Sequence, residues 1–323
     1  MHTAIPLTVL ATALACSLAT APAHARARVF VASYGNDSNP CTFGSPCKTF
    51  QQALTTVDAG GEVTAIDSAG FGPMTITRAV TITSPDGVEA GIVPPTNGIA
   101  ITINAGVSDA IVLRGLTIDG GGIGATGIQF NTGQSLTIDN CAIKSFVGQY
   151  PAGTALNFVP TASTTIGVAQ LSISNSILSN NAAYGAVIES GPEWTHAVVS
   201  HAQFKNNQWG LAAIGIDNNS VFTQPSVTVY DSVFALNKDV GLYTDINATV
   251  KIFHSVFTDN SIGVQALKAT VIFLAQSVIA AVIPAAAGYD IEGSSNIWSY
   301  GDNYIVYGKN IGQLSTGFPY QKQ

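Results

Sequence analysis

Apolar and polar positions alternate with a period of two over most of the chain, in runs too short for helices and bounded by polar or glycine-containing turns. One pattern recurs: apolar, any, apolar, any, polar, small, any, apolar. It occupies residues 136–143, 171–178, 227–234 and 250–257, with looser copies at 111–118, 197–204, 272–279 and 298–305. The final apolar residues of successive copies lie 25, 35, 26, 30, 23, 22 and 26 positions apart. A second signal follows several copies: an Asn, a short gap, an apolar or aromatic residue, and a Gly that opens another alternating run. It pairs Asn181 with Gly185, Asn207 with Gly210, Asn237 with Gly241 and Asn260 with Gly263.

Each unit therefore predicts about three short strands separated by tight turns. A unit of this kind cannot bury its own apolar face, so neighbouring units must stack. The expected fold is all-β: a single-stranded right-handed parallel β-helix with three short strands per coil. The turn residues form columns of their own. A polar column runs through Asn140, Asn175, His201, Asp231, His254, Gln276 and Asp302, and its asparagines are expected to hydrogen-bond from coil to coil. A small column beside it runs through Cys141, Ser176, Ala202, Ser232, Ser255, Ser277 and Asn303, which makes Cys141 a buried, inert thiol. Residues 269–288 are apolar enough to suggest a membrane span, but Gln276 to Ile279 keep the repeat register and Pro284 interrupts the stretch.

The two ends differ from the repeat. Residues 1–25 read as a secretory signal peptide, with Ala23-His24-Ala25 as the cleavage site, so the expected location is secreted or periplasmic. Residues 26–60 form an N-terminal cap: a strand, a turn closed by a Cys41–Cys47 disulfide in an oxidising compartment, and a helix over 48–54. Ser45 is its expected N-cap and Pro46 its first position. A helix there covers strand edges that would otherwise pair with another chain. The β-helix then spans 61–305, and 306–323 form a C-terminal cap or tail.

Composition narrows the function classes. Only 10% of the residues are charged, the net charge is −7, and no Lys/Arg cluster occurs, so a nucleic-acid surface is not expected. No membrane span is expected once the leader is removed. The repeat units, the Asn-to-Gly signals and the opening segment from Ser33 to Phe50 resemble the right-handed parallel β-helix, or pectin-lyase-like, superfamily. The resemblance covers nearly all of the mature chain and implies fold rather than activity, since the superfamily includes lyases, hydrolases, esterases, tailspikes and non-catalytic surface proteins.

Polygalacturonase-like members would need adjacent aspartates, a Gly-His-Gly and an Arg-x-Lys, and the sequence has none of these. Pectate-lyase-like members would need an acidic calcium cluster and an Arg base, yet every arginine (Arg26, Arg28, Arg78, Arg114) precedes the middle of the chain. Calcium is thus conceivable but unsupported, and no cofactor or metal is expected. Asp119 to Gly122 reads as a Gly-rich turn rather than a cation loop, and His201 and His254 as stacked turn residues rather than metal ligands.

The resemblance places a groove on the strands after each repeat Gly. Alternation turns Gln129, Asn131, Asn157, Glu189, Tyr243, Asp245, Asp290 and Glu292 outward there. Glu189 and Asp245 fall two coils apart, about 10 Å, near the upper separation for an inverting glycosidase pair; they are the candidate catalytic residues. Tyr243, Asp290, Glu292, Asn131 and Asn157 are the candidate ligand contacts. Trp194 and Trp209 are candidate sugar-stacking residues, although Trp209 also suits packing at a turn. The leading expectation is a non-catalytic exported protein binding glycan or another cell-envelope component along its lateral face. The alternative is a polysaccharide lyase or glycoside hydrolase.

Overall fold

The computed structural model describes residues 27–164, 166–217, 222–280, 289–293, 296–305 and 314–316. The expected leader and its cleavage site lie outside these residues, as does most of the expected C-terminal tail.

The chain forms the expected parallel β-solenoid, in three sheets of 12, 9 and 10 strands. Each coil contributes one strand to each sheet. Val168–Ser174, Ile177–Ser179 and Tyr184–Glu189, for example, lie in what are termed here the first, second and third sheets. Every named pairing among these three sheets is parallel, with the inward residues in register: Leu136, Leu171, Ala197 and Val227 stand above one another. The interior is filled by such columns. Phe204, Phe234 and Phe257 stack with centroids 4.8 and 4.6 Å apart and rings nearly coplanar. Each fully buried side chain of this size contributes about 2–3 kcal/mol of hydrophobic stabilisation.

The two turns of each coil explain the repeat signals. At the turn from the first to the second sheet, Asn140, Asn175, His201, Asp231, His254 and Gln276 all adopt φ between 47 and 52°. This left-handed conformation favours Asn and Asp and explains the polar column. The column is not, however, the asparagine ladder the sequence suggested: Asn175 donates instead to Asp139. The ladder forms at the turn from the second to the third sheet. There Asn207 Nδ2 donates to Asn237 Oδ1 at 3.2 Å and Asn237 Nδ2 to Asn260 Oδ1 at 2.9 Å, with all three side chains fully buried. Asn181 continues the ladder through a 2.8 Å bond to Asn207 Oδ1. These are the asparagines of the Asn-to-Gly signal, and they are fixed by buried backbone groups that need partners. The small column forms its own ladder, in which Ser232, Ser255 and Ser277 hydroxyls accept backbone N–H bonds from the coil before.

The repeat glycines are set by close approach. A Cβ on Gly185 would stand 2.5 Å from Gly210 O, and one on Gly210 would stand 2.2 Å from Gly241 O. Asp119 to Gly122 form a turn in which Gly121 N donates to Asp119 Oδ1, with Gly121 and Gly122 at positive φ.

At the N-terminal end, Cys41 and Cys47 form the expected disulfide. The helix is displaced from its expected position: it spans Phe50–Thr56, and Thr49, not Ser45, caps it by accepting from Gln52 N. Asp37 decides this, because its carboxylate takes the Lys48 and Thr49 amides at 2.9 Å and holds that stretch out of the helix. Ser45 instead closes the turn against Thr42 O. The apolar stretch after residue 269 enters the solenoid as strands Val271–Ala275 and Val278–Ala280, and no helix among the described residues is long and apolar enough to cross a membrane. The first sheet continues through Leu314–Thr316, past the expected boundary at 305.

Candidate functional site

The third sheet carries most of the sequence-derived site residues, and its register sorts them. Gln129, Asn157 and Tyr243 belong to one outward column, with Val187 and Ala212 between them and Gln265 and Glu292 after. Glu189 and Asp245 belong to the next column, two coils apart, with Ile214 between them. Asp290 stands opposite the corner position of Gly263 rather than in either column. The side chains of Asp290 and Glu292 lie outside the described residues.

Two candidates expected to face solvent are buried. Asn157 is 1% exposed because the segment around Tyr150 and Pro151 folds down onto the sheet, and Pro151 O accepts from Asn157 Nδ2 at 3.0 Å. Asp245 is 9% exposed, its carboxylate taken up by the Tyr243 hydroxyl at 2.9 Å, by Ile246 N at 2.9 Å and by Lys268 Nζ at 3.6 Å. Asn157 starts a directional run of carboxamides. It donates to Gln129, Gln129 donates to Asn131, and Asn131 donates to Asn104. The Asn157 Oδ1 atom is buried with no donor in reach among the described residues.

Beyond this polar run lies an aromatic row. Tyr150 packs edge-on against Tyr184 at 5.4 Å, Tyr184 lies tilted against Trp209 at 5.1 Å, and Trp209 packs edge-on against Tyr243 at 4.9 Å. Tyr184 and Trp209 are register partners immediately before the repeat glycines, where the chain turns the corner into the sheet. In the next coil that position is Val240, which leaves room for the indole to meet Tyr243 diagonally. The outward residues beneath the row, Val187, Ala212 and Val240, are buried although they lie outside the solenoid core. Between the rings opens a pocket of about 380 Å³, lined by Gln149, Tyr150, Ala183, Tyr184, Gln208 and Trp209.

Each polar ring atom of the row but one is tied to a carboxylate. Tyr150 OH donates to Glu189 Oε1 at 2.7 Å, Trp209 Nε1 to Asp239 Oδ2 at 2.9 Å, and Tyr243 OH to Asp245 Oδ2. Gln208 Nε2 also donates to Asp239. Burial, followed by the bond to Glu189, pushes the Tyr150 hydroxyl well above the usual tyrosine range; burial and Asp245 do the same to Tyr243. Tyr184 is pushed up to about 12 by burial and the nearby charges of Asp239 and Glu189. All three phenols therefore remain protonated donors at neutral pH, suited to holding a ligand and unsuited to removing a proton from one.

Trp194 does not join this face. It lies on strand Trp194–Ser200 of the first sheet, 46% exposed, so the two tryptophans form no common platform. His201 and His254 remain exposed turn residues, His201 Nε2 lying 3.8 Å from Asp231 Oδ2. Among the described residues no group of three metal-binding side chains occurs. Tyr150, Tyr184, Asp239 and Gln208 were missed in the sequence. Tyr184 was open to discovery, since it shares with Trp209 the position before the repeat Gly; Tyr150 sits in a loop without a repeat position.

Comparison with known proteins agrees with the fold. The chain is similar to the crystal structure of pectate lyase Pel9A, with a TM-score of 0.60 and 14% identity over 89% of this chain and 77% of that one. It is also similar to a rhamnogalacturonan lyase, with a TM-score of 0.43 and 11% identity over 89% and 86% of the two chains. The comparison with curated proteins finds no match. The family model for the right-handed β-helix region matches residues 97–279, more than half of the chain. The stacked coils, their two ladders and this match together establish that the chain belongs to the right-handed β-helix family.

Proposed function

We propose that this protein is an exported glycan-binding protein, non-catalytic, whose third-sheet face holds a linear saccharide along the solenoid axis. One observation carries the reading: Tyr150, Tyr184, Trp209 and Tyr243 form a continuous row across neighbouring coils, flanked by fixed carboxylates. Sugar rings pack their C–H faces on aromatic side chains and give their hydroxyls to carboxylates and carboxamides. The row supplies the first surface, and Glu189, Asp239 and the Gln129–Asn131 run supply the second. The leader-like segment 1–25 and the Cys41–Cys47 disulfide support export. Glu189 and Asp245, the candidate acids, are each hydrogen-bonded to a tyrosine hydroxyl, and Asp245 is also buried, which leaves no exposed pair of acids and favours binding over hydrolysis.

The test is a glycan array followed by calorimetry on the hits. Binding that is lost in Tyr150→Ala and Trp209→Ala supports the reading, and no binding to any glycan sinks it. The second reading, a polysaccharide lyase, has the similarity to pectate lyase in its favour. It requires release of unsaturated or reducing ends from a polysaccharide panel, abolished in Glu189→Gln or Asp245→Asn.

A further inference from the structure

Resting on that reading, we propose that the aromatic face selects an uncharged glycan and rejects polyuronates. Each of the three carboxylates of the row is held by a ring donor: Glu189 by Tyr150, Asp239 by Trp209 and Asp245 by Tyr243. Glu189 ends its strand, whereas Asp239, two coils or about 10 Å further along the axis, precedes strand Val240–Asp245, so negative charge borders the face at both edges of the path a linear chain would follow. Little opposes it. Lys268 reaches Asp245 at 3.6 Å from the far end of the row, Lys238 is exposed at the turn beside Asp239, and the sequence has no arginine after Arg114. The bidentate Arg–carboxylate pairing that suits uronate recognition is therefore absent from every coil that carries the row.

The same carboxylates favour neutral sugars. Among the described residues, Glu189 Oε2 and Asp239 Oδ1 take no hydrogen bond, while the opposite oxygen of each is held by a ring donor. Both residues are partly exposed, and these oxygens are free to act as carboxylate acceptors. A sugar hydroxyl donates to them in a charge-assisted bond, whereas a uronate carboxylate has no proton to give and meets repulsion. The carboxamide run extends the selection, since Asn131 and Gln129 offer uncharged partners on the same face.

The experiment uses the full chain and compares cellohexaose, xylohexaose, mannohexaose and N-acetylated chitohexaose with hexagalacturonate. Calorimetry and Trp fluorescence report binding, at low and at high salt. The expected result is that at least one neutral hexasaccharide binds and that hexagalacturonate binds at least about tenfold more weakly, the gap shrinking as salt screens the charges. A Glu189→Gln/Asp239→Asn double variant should narrow the same gap at low salt. Tyr150→Ala, on an exposed loop, identifies the face without threatening the solenoid. Hexagalacturonate binding as tightly as the best neutral ligand, and losing affinity in Tyr150→Ala, overturns the charge selection and leaves glycan binding standing. Failure of every hexasaccharide to bind overturns both.

Discussion

Trp209 Nε1 donates to Asp239 Oδ2 at 2.9 Å across one coil, joining two residues 30 positions apart in the chain. The bond fixes the plane of the indole between Tyr184 and Tyr243 and places a negative charge beside it. Asp239→Ala removes the acceptor for both Trp209 and Gln208. It should cost about 1–2 kcal/mol in urea unfolding and shift the Trp fluorescence maximum of the folded protein. An unchanged spectrum would show that packing alone holds the indole.

The two asparagine columns should respond differently to substitution. Asn207 is fully buried, accepts from Asn181, and donates to Asn237 and to Leu178 O. Asn207→Ala leaves several of these groups unpaired in a low-dielectric interior, a loss of about 3 kcal/mol or more. Asn175→Gly keeps the left-handed turn and loses the bond to Asp139, a cost of about 1 kcal/mol. Thermal unfolding of both variants checks the order; equal losses would mean the buried ladder contributes no more than a surface turn.

Leu236 marks a position where the chain departs from its own rule. It has φ 58° and is 57% exposed, at the register position where Asn180 and Asn206 adopt the same conformation. A leucine there is strained and leaves its side chain in water. Leu236→Asn should stabilise the protein by about 1 kcal/mol, read as a higher Tm. A lower Tm would mean that the side chain packs against something in solution.

Cys141 is buried, and burial pushes its thiol from 9.0 to about 11. It should resist iodoacetamide in the native protein and react once the protein is unfolded. Because the folded value is the higher one, the thiol contributes full stability below pH 9 and loses it as pH rises toward 11. The loss amounts to about 2–3 kcal/mol for a shift of this size. Cys141→Ser, which fits the serine ladder, should flatten the fall in unfolding free energy between pH 9 and 11. An identical slope in the variant would assign the alkaline loss to other groups.

The coil stack was legible because its causes are local. Period-two alternation reports which face is buried, and Gly185 or Gly210 reports a corner that excludes a Cβ. The misplaced ladder shows the limit of such reading. Asn140, Asn175 and the ladder asparagines are the same residue type at tight turns. Whether a side chain points inward to a buried amide or outward at a left-handed turn depends on one residue of offset. The displaced helix has a similar cause, since Asp37 captures the Lys48 and Thr49 amides from outside the segment that looked capped.

Sequence by itself determined the parallel solenoid, its short strands, the disulfide turn and the buried thiol, because burial and turn conformation recur coil by coil at fixed positions. It also placed Glu189 two coils from Asp245, since register follows directly from the repeat. Only the tertiary structure decided that Tyr150, Tyr184, Trp209 and Tyr243 meet, that their ring donors fix three carboxylates, and that Asn157 and Asp245 are covered. These contacts join loops of unequal length across coils, and one is a diagonal, set by the room that Val240 and Ala212 leave. A repeat pattern specifies the column in which a side chain stands; the bulk of its neighbours decides which way it leans.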